Sequence, residues 1–181
     1  MHDVPYNMSG EADDSPESLE QELDRRLRGW QPELTGTLLF VVTQGSVLLI
    51  HKKRGHGAGL INAPGGKIEM GETAVACALR ETFEEVGITA IAPRLLGTFK
   101  FVERVGSQWL GYAFVADAYE GTPTESREAL PEWFEFAEIP YEKMWDDDRF
   151  WLPDILAGRE VAGEFLFDDG VLLTHRLRRL T

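Results

Sequence analysis

Between Gly66 and Ile88 the chain spaces glycines, acids and one arginine at intervals that leave little freedom in what it can become. Gly66, Glu72, Arg80, Glu81, Thr82, Glu84, Glu85, Gly87 and Ile88 follow the pattern G-x5-E-x7-R-E-U-x-E-E-x-G-U, where U is a bulky aliphatic residue and Thr82 is the one departure. A helix is expected from about Glu72 to Val86, with Gly87 as its stop. Because a helix advances about 100° per residue, Glu81, Glu84 and Glu85 fall on one arc and converge. Val75, Leu79, Thr82, Phe83 and Val86 fall opposite, which predicts an apolar face for the core and an acidic face turned outward into a cleft. Like charges at these offsets repel, and no Lys or Arg at i,i+3 or i,i+4 shares the arc, so cations are required between them. Hard oxygen ligands select Mg2+, with Mn2+ as a substitute. Mg2+ binds through one or two protein carboxylates plus substrate phosphates while a water is activated.

The surroundings of this segment define a domain. The first fourteen residues, MHDVPYNMSGEADD, are polar and acidic, so residues 1–14 are expected to be disordered. Ser15-Pro16-Glu17 reads as a helix cap followed by proline at the first position, and Leu19, Leu23 and Leu27 recur every four residues. Glu22 with Arg26 and Asp24 with Arg28 add pairs at i,i+4, and Gly29 ends the helix. Residues 15–30 therefore form an amphipathic extension that packs on the domain or on a second subunit, which leaves a monomer or a homodimer through this helix. Strand-like runs at 37–43 and 47–50 flank a turn, and others follow at 95–105, 109–119 and 132–136. A helix is expected after Asp146-Asp147-Asp148, and Asp169-Gly170 turns between two terminal strands. The expectation is one α+β domain over residues 31–181, with a mixed sheet between helices.

Composition narrows the partners. The net charge of -13 repels polyanions, so no long nucleic acid is expected on the surface. No apolar run reaches the roughly 20 residues of a membrane span, and the first ten residues lack the basic and apolar parts of a signal peptide. A cytoplasmic protein is expected. Cys77 is the only cysteine and so has no partner for a disulfide. It reads as a small buried thiol.

The spacing from Gly66 to Ile88 resembles the box of the Nudix hydrolases. That resemblance implies the Nudix fold and a nucleoside diphosphate linkage as the bond cut. It also implies that Glu81, Glu84 and Glu85 bind metal and activate water, that Arg80 and Glu72 orient or support them, and that Gly65 offers a backbone carbonyl. From Thr37 to Leu180 the chain is similar, more narrowly, to the mammalian-type 8-oxo-dGTP diphosphatases. The residues that carry this are Lys52-Lys53-Arg54-Gly55, Asn62 before Gly65-Gly66-Lys67, Gly121-Thr122-Pro123 with Glu125-Ser126, and Met144-Trp145 followed by Asp147-Asp148. It implies hydrolysis of an oxidised purine nucleoside triphosphate to the monophosphate and pyrophosphate, with Thr37, Lys52 and Phe101 lining the pocket and Glu128 as a further metal carboxylate.

Each of these side chains has a physical use. Trp145 gives a flat face for a purine, and Asn62 carries both donor and acceptor. Asp147 and Asp148, adjacent in a partly dry pocket, can share one proton and so both donate to and accept from an altered base edge. Other readings stand beside these. Trp145 can be a core or lid aromatic, Asp146 to Asp148 can cap the next helix, and Glu128 can be an exposed loop residue. The chain departs from the diphosphatase pattern at His56, Leu60-Ile61, Ala63-Pro64 and Asp146. His56 is read as a loop or substrate-proximal residue rather than a metal ligand. Two further functions remain open: a Nudix hydrolase of a dinucleoside polyphosphate or nucleotide sugar, and a binding module of the same fold without turnover.

Overall fold

A computed structural model of the chain describes residues 15–180. The segment 1–14, expected to be disordered, lies outside them. Helix α1 (Pro16–Leu27) is followed by β1 (Leu34–Thr43), β2 (Ser46–Lys52), β3 (Ile61–Asn62) and β4 (Gly65–Lys67). Helix α2 (Ala74–Val86) comes next, then β5 (Ile88–Ile91), β6 (Arg94–Glu103), β7 (Trp109–Ala116), β8 (Ala118–Gly121) and β9 (Ala129–Glu135). Helix α3 (Asp148–Leu156) and the hairpin of β10 (Val161–Asp168) and β11 (Val171–Arg179) complete the chain. The main sheet runs β11-β10-β6-β7-β1-β2-β3, with β4 on β1 and β9 on β2. It is mixed, because β1 pairs with β7 and β6 with β10 in parallel while the other pairs are antiparallel.

Strand alternation sends side chains to two faces, each covered by helix. On one face Phe40, Val47, Leu49, Phe99 and Phe165 pack with Trp151, Leu152 and Ile155 of α3. On the other, Leu39, Val41, Leu48, Ile50 and Phe114 pack with Ala78 and Val86 of α2. The α+β sandwich is thus as the sequence pattern predicts. The predicted run 109–119 breaks at Asp117, where β7 ends and β8 leaves the main sheet to pair with β5. Strands β3, β4 and β5 hold two, three and four residues, too few to display a period.

Helix α1 begins as expected, with the Ser15 hydroxyl accepting from the Ser18 amide at 3.4 Å. Leu19 and Leu23 are buried against Val102 and Leu166, with Leu27, Trp30 and Leu173 around them. The leucine face is therefore taken by the chain's own sheet. Glu22 meets Arg26 at 2.7 Å and also receives Arg104 of the strand-end loop at 2.8 Å. Asp24 does not pair with Arg28 as expected. Arg28 has left helical geometry (φ -67°, ψ 109°), so the i,i+4 register is lost, and Asp24 binds Arg176 of β11 at 2.8 Å.

Helix α2 begins at Ala74 rather than about Glu72, because the Thr73 hydroxyl caps it at the Ala76 amide, 3.3 Å away. Gly87 ends it in the left-handed region at φ 75°. Its buried side is Cys77, Ala78, Thr82, Glu85 and Val86, whereas Val75 and Phe83 are 39% and 58% exposed. The expected apolar face is thus rotated. Glu85 is drawn inward by Lys52 and by the Gly65 amide, and Thr82 can be buried because its hydroxyl donates to the Ala78 carbonyl at 2.7 Å.

Candidate active site

The glycine loop before α2 creates the first half of the site. A Cβ on Gly66 would stand 2.3 Å from the Glu81 carboxyl carbon, and one on Gly65 would stand 2.0 Å from the Thr37 carbonyl oxygen. Only glycine at both positions lets β4 lie on β1 with a carboxylate tucked against it. Arg80 grips both oxygens of Glu72 at 2.8 and 2.9 Å, and reaches Glu81 at 2.8 Å and Glu84 at 3.3 Å. The Arg80 guanidinium, followed by the Glu69 amide, holds the Glu72 carboxyl down to about 2. Glu85 is 2% exposed; it accepts from Lys52 at 2.5 Å and from the Gly65 amide at 3.0 Å. Burial nevertheless pushes its carboxyl upward, against those two donors.

Two expectations about this helix are corrected. Cations do accompany the glutamates, since Arg80 sits four residues before Glu84 and Lys52 comes from β2. The three carboxylates share an arc but do not converge: Glu81 turns to Arg80, Glu85 lies behind Lys52, and the Glu84 side chain is 58% exposed. Among the described residues no three Asp, Glu, His or Cys side chains are gathered around one point. The donors still suit a hard divalent cation in kind, because the Glu81 carboxylate lies against Gly66 where a Cβ would not fit.

A cavity of about 500 Å³ leads from this cradle to the α3 side of the sheet. Gly65, Gly66, Lys67, Lys52 and Glu81 line one end, with Arg54 and Glu128 at the rim, and Thr37 and Asn62 stand along the wall. Thr37 is fixed by a 3.4 Å contact from its hydroxyl to the Cys77 sulfur, and Asn62 by the Ala63 amide at 2.8 Å. Cys77 is fully buried, which pushes its thiol up and leaves it unreactive.

The other end is aromatic and acidic. Phe99, Phe101, Trp109, Trp145, Trp151 and Phe167 line it together with Asp147 and Asp148. Both aspartates are buried, at 3% and 2% exposure. Asp147 accepts from the Trp151 indole at 2.8 Å, and Asp148 accepts from the Trp145 amide at 3.1 Å. Neither side chain caps α3. Burial raises both carboxyls above the usual range, and for Asp148 the charge of Asp147 adds to it. No cation among the described residues pairs with either, so the pair gives up its proton at higher pH than an isolated aspartate. His56 stacks between Trp109 and Trp145, 5.4 and 5.1 Å from their ring centroids, and partial desolvation, then the charge of Lys52, lowers its imidazole below the ordinary value.

Every site residue expected from the sequence other than Glu72, Arg80, Glu84 and Glu85 reaches the cavity wall: Thr37, Lys52, Asn62, Gly65, Glu81, Phe101, Glu128, Trp145, Asp147 and Asp148. Sequence reasoning missed Trp109, Glu103, Trp151 and Phe167. Trp151 was within reach, since it lies four residues after Asp147 on a predicted helix. Trp109 and Phe101 face each other across the β6–β7 pair, which only the register decides.

The NUDIX domain matches residues 34–155. The chain is 44% identical over 144 residues to the oxidized purine nucleoside triphosphate hydrolase of Danio rerio, covering 78% of this chain and 92% of that protein. It is 42% identical over 147 residues to the protein of the same name from Mus musculus, covering 80% and 94%. Among solved structures, a MutT protein from Bacillus halodurans superimposes with a TM-score of 0.73 at 34% identity, covering 80% of this chain and 97% of that one.

Proposed function

Since the chain belongs to the Nudix hydrolase family, we propose that its substrate is an oxidised purine nucleoside triphosphate such as 8-oxo-dGTP, cut to the monophosphate and pyrophosphate. The relatives in zebrafish and mouse carry the name of that activity. The observation that carries the reading to this chain is one continuous cavity, with a glycine and carboxylate cradle at one end and a buried aspartate pair among indoles at the other. A single nucleotide can occupy both ends.

Glu81, Glu84, Glu85 and the Gly65 carbonyl, with Glu128 from the rim, would hold Mg2+. When bound, the cation offsets the charge that develops on the phosphates and lowers the pKa of a water. Arg80, locked on Glu72, fixes the direction of Glu81 and Glu84. Lys52, Arg54 and Lys67 supply positive charge to the triphosphate. Water adds to the α or β phosphorus, the bond to the bridging oxygen breaks, and a box carboxylate or Glu128 takes the proton. At the far end Trp145 stacks on the base and Asn62 contacts it. The Asp147–Asp148 pair, holding one proton, donates to one purine atom and accepts from another. The leucine face of α1 is spent on its own sheet, which favours a monomer. No helix among the described residues is long and apolar enough to cross a membrane, and we place the enzyme in the cytosol.

The test is incubation with Mg2+ and a panel of normal and oxidised triphosphates, dinucleoside polyphosphates and nucleotide sugars, with products separated by chromatography. Oxidised purine triphosphates should be cut fastest, and a chelator should stop the reaction. Faster cleavage of another class would overturn the substrate, and binding without turnover in any class would overturn the hydrolase reading.

A further inference from the structure

One acid on the wall of the cavity has no place in that account. Residues two apart on a strand share a face, and β6 presents Phe99, Phe101 and Glu103 in a row. The first two lie among aromatics: Phe99 touches Trp151 and Phe165, and Phe101 stacks on Phe165. Glu103 stands beside Phe167 in the parallel pairing with β10, and it lines the same cavity. A carboxyl thus ends an otherwise aromatic row.

Its backbone is held firmly. Gln108 accepts from the Glu103 amide at 3.3 Å and donates to its carbonyl at 3.0 Å, and Arg26 donates to the same carbonyl at 3.2 Å. The side chain, in contrast, receives no donor from any described residue. Arg104, next in sequence, is engaged by Glu22 at 2.8 Å and Asp168 at 3.1 Å. Burial, then the charges of Asp168 and Asp169, push the Glu103 carboxyl up. A partly desolvated acceptor without a donor is unfavourable, and a ligand that brings an N–H relieves it.

The position says which part of a ligand arrives there. Between Glu103 on β6 and Gly66 on β4 lie β7 and β1, roughly 14 Å across three strand spacings, and the register that sets Gly66 level with Thr98 carries Glu103 roughly 16 Å farther along β6, to the end of the cavity remote from the phosphate cradle. Taking the cavity as the nucleotide site of the preceding reading, we propose that Glu103 is a specificity-determining residue that accepts a hydrogen bond from the exocyclic amino group of the purine. Asp147 and Asp148 approach the base from α3, and Glu103 approaches from the sheet.

The experiment compares kcat/KM for 8-oxo-dGTP and for its counterpart lacking the amino group, 8-oxo-dITP, in the wild type, Glu103→Gln and Glu103→Ala. Binding of the two product monophosphates is measured in parallel by calorimetry without metal. The wild type should favour the amino substrate by roughly 10- to 100-fold, since a buried polar group left unpaired discriminates strongly. Glu103→Ala should bring the ratio close to one through a higher KM on the amino substrate alone. Glu103→Gln, which keeps an acceptor oxygen, should retain part of the preference. An equal change on both substrates, or an unchanged ratio in Glu103→Ala, overturns the proposal. If no triphosphate were turned over, the hydrolase reading would fail, and the ratio of monophosphate affinities would still decide for or against Glu103.

Discussion

The two ends of the cavity are built on opposite principles. At the cradle each acid has a cation, whether exposed or buried: Glu72, Glu81 and Glu84 share Arg80, and the buried Glu85 has Lys52. At the far end Asp147 and Asp148 are buried, and among the described residues their donors are neutral, an indole N–H and a backbone amide. The Arg80 guanidinium lowers the Glu72 carboxyl, whereas burial without a described cation raises those of Asp147 and Asp148. On the proposed reading, the same residue class serves phosphate chemistry at one end and base recognition at the other.

The sharpest way to break this comparison is Glu85→Gln. It removes a buried charge at the cradle, and turnover should fall by about 100- to 1000-fold, the usual cost of losing one electrostatic contact to a reacting phosphate. Affinity for the monophosphate without metal should change little. A similar rate in the variant would remove the cradle from the chemistry. Next in size, Asp148→Asn should change the ranking of oxidised over normal purine triphosphates by roughly 10- to 100-fold while the rate on the best remaining substrate stays within reach of wild type. An unchanged ranking would sink the shared-proton readout.

The acid pair also carries a pH signature. Because both folded pKa values are raised, the stability associated with the protonated form is present at low pH and is lost as pH rises through them. Thermal melting from about pH 5 to about pH 8 should therefore show the wild type losing Tm relative to Asp148→Asn. Glu72 has the opposite sign. Its carboxyl is lowered to about 2, so its contribution is present above the ordinary value of 4.5 and disappears as pH falls toward 2. Glu72→Gln should flatten that acid limb and reduce turnover by about tenfold, since Arg80 loses its anchor. Leu23→Ala should be smallest in activity, within about twofold, although it costs about 2–5 kcal/mol of stability in denaturant melts. A larger effect on turnover would connect α1 to the cavity through Arg26 and Glu103.

The fold was legible wherever the period was long enough. The leucines of α1, the β1–β2 pair around Gln44-Gly45, and the Asp169-Gly170 turn all stand where local chemistry puts them. On α2 the apolar pattern misled. Val75 and Phe83 fit the core stripe, yet the pull of Lys52 and the Gly65 amide on Glu85 turns them toward solvent. A helical wheel contains no information about a lysine on another strand.

By itself the sequence determined the α2 spacing, the glycines that precede it and the pattern that places the chain in its family, because residues within one or two turns meet through local geometry. Tertiary structure decided the rest. Phe101 and Glu103 of β6, Trp109 of β7, Phe167 of β10 and Trp145, Asp147, Asp148 and Trp151 near α3 are far apart in the chain, and only strand register and burial bring them to one wall. Burial also determines which carboxyls hold a proton. Access to water is a property of the packed fold, and no spacing of residues encodes it.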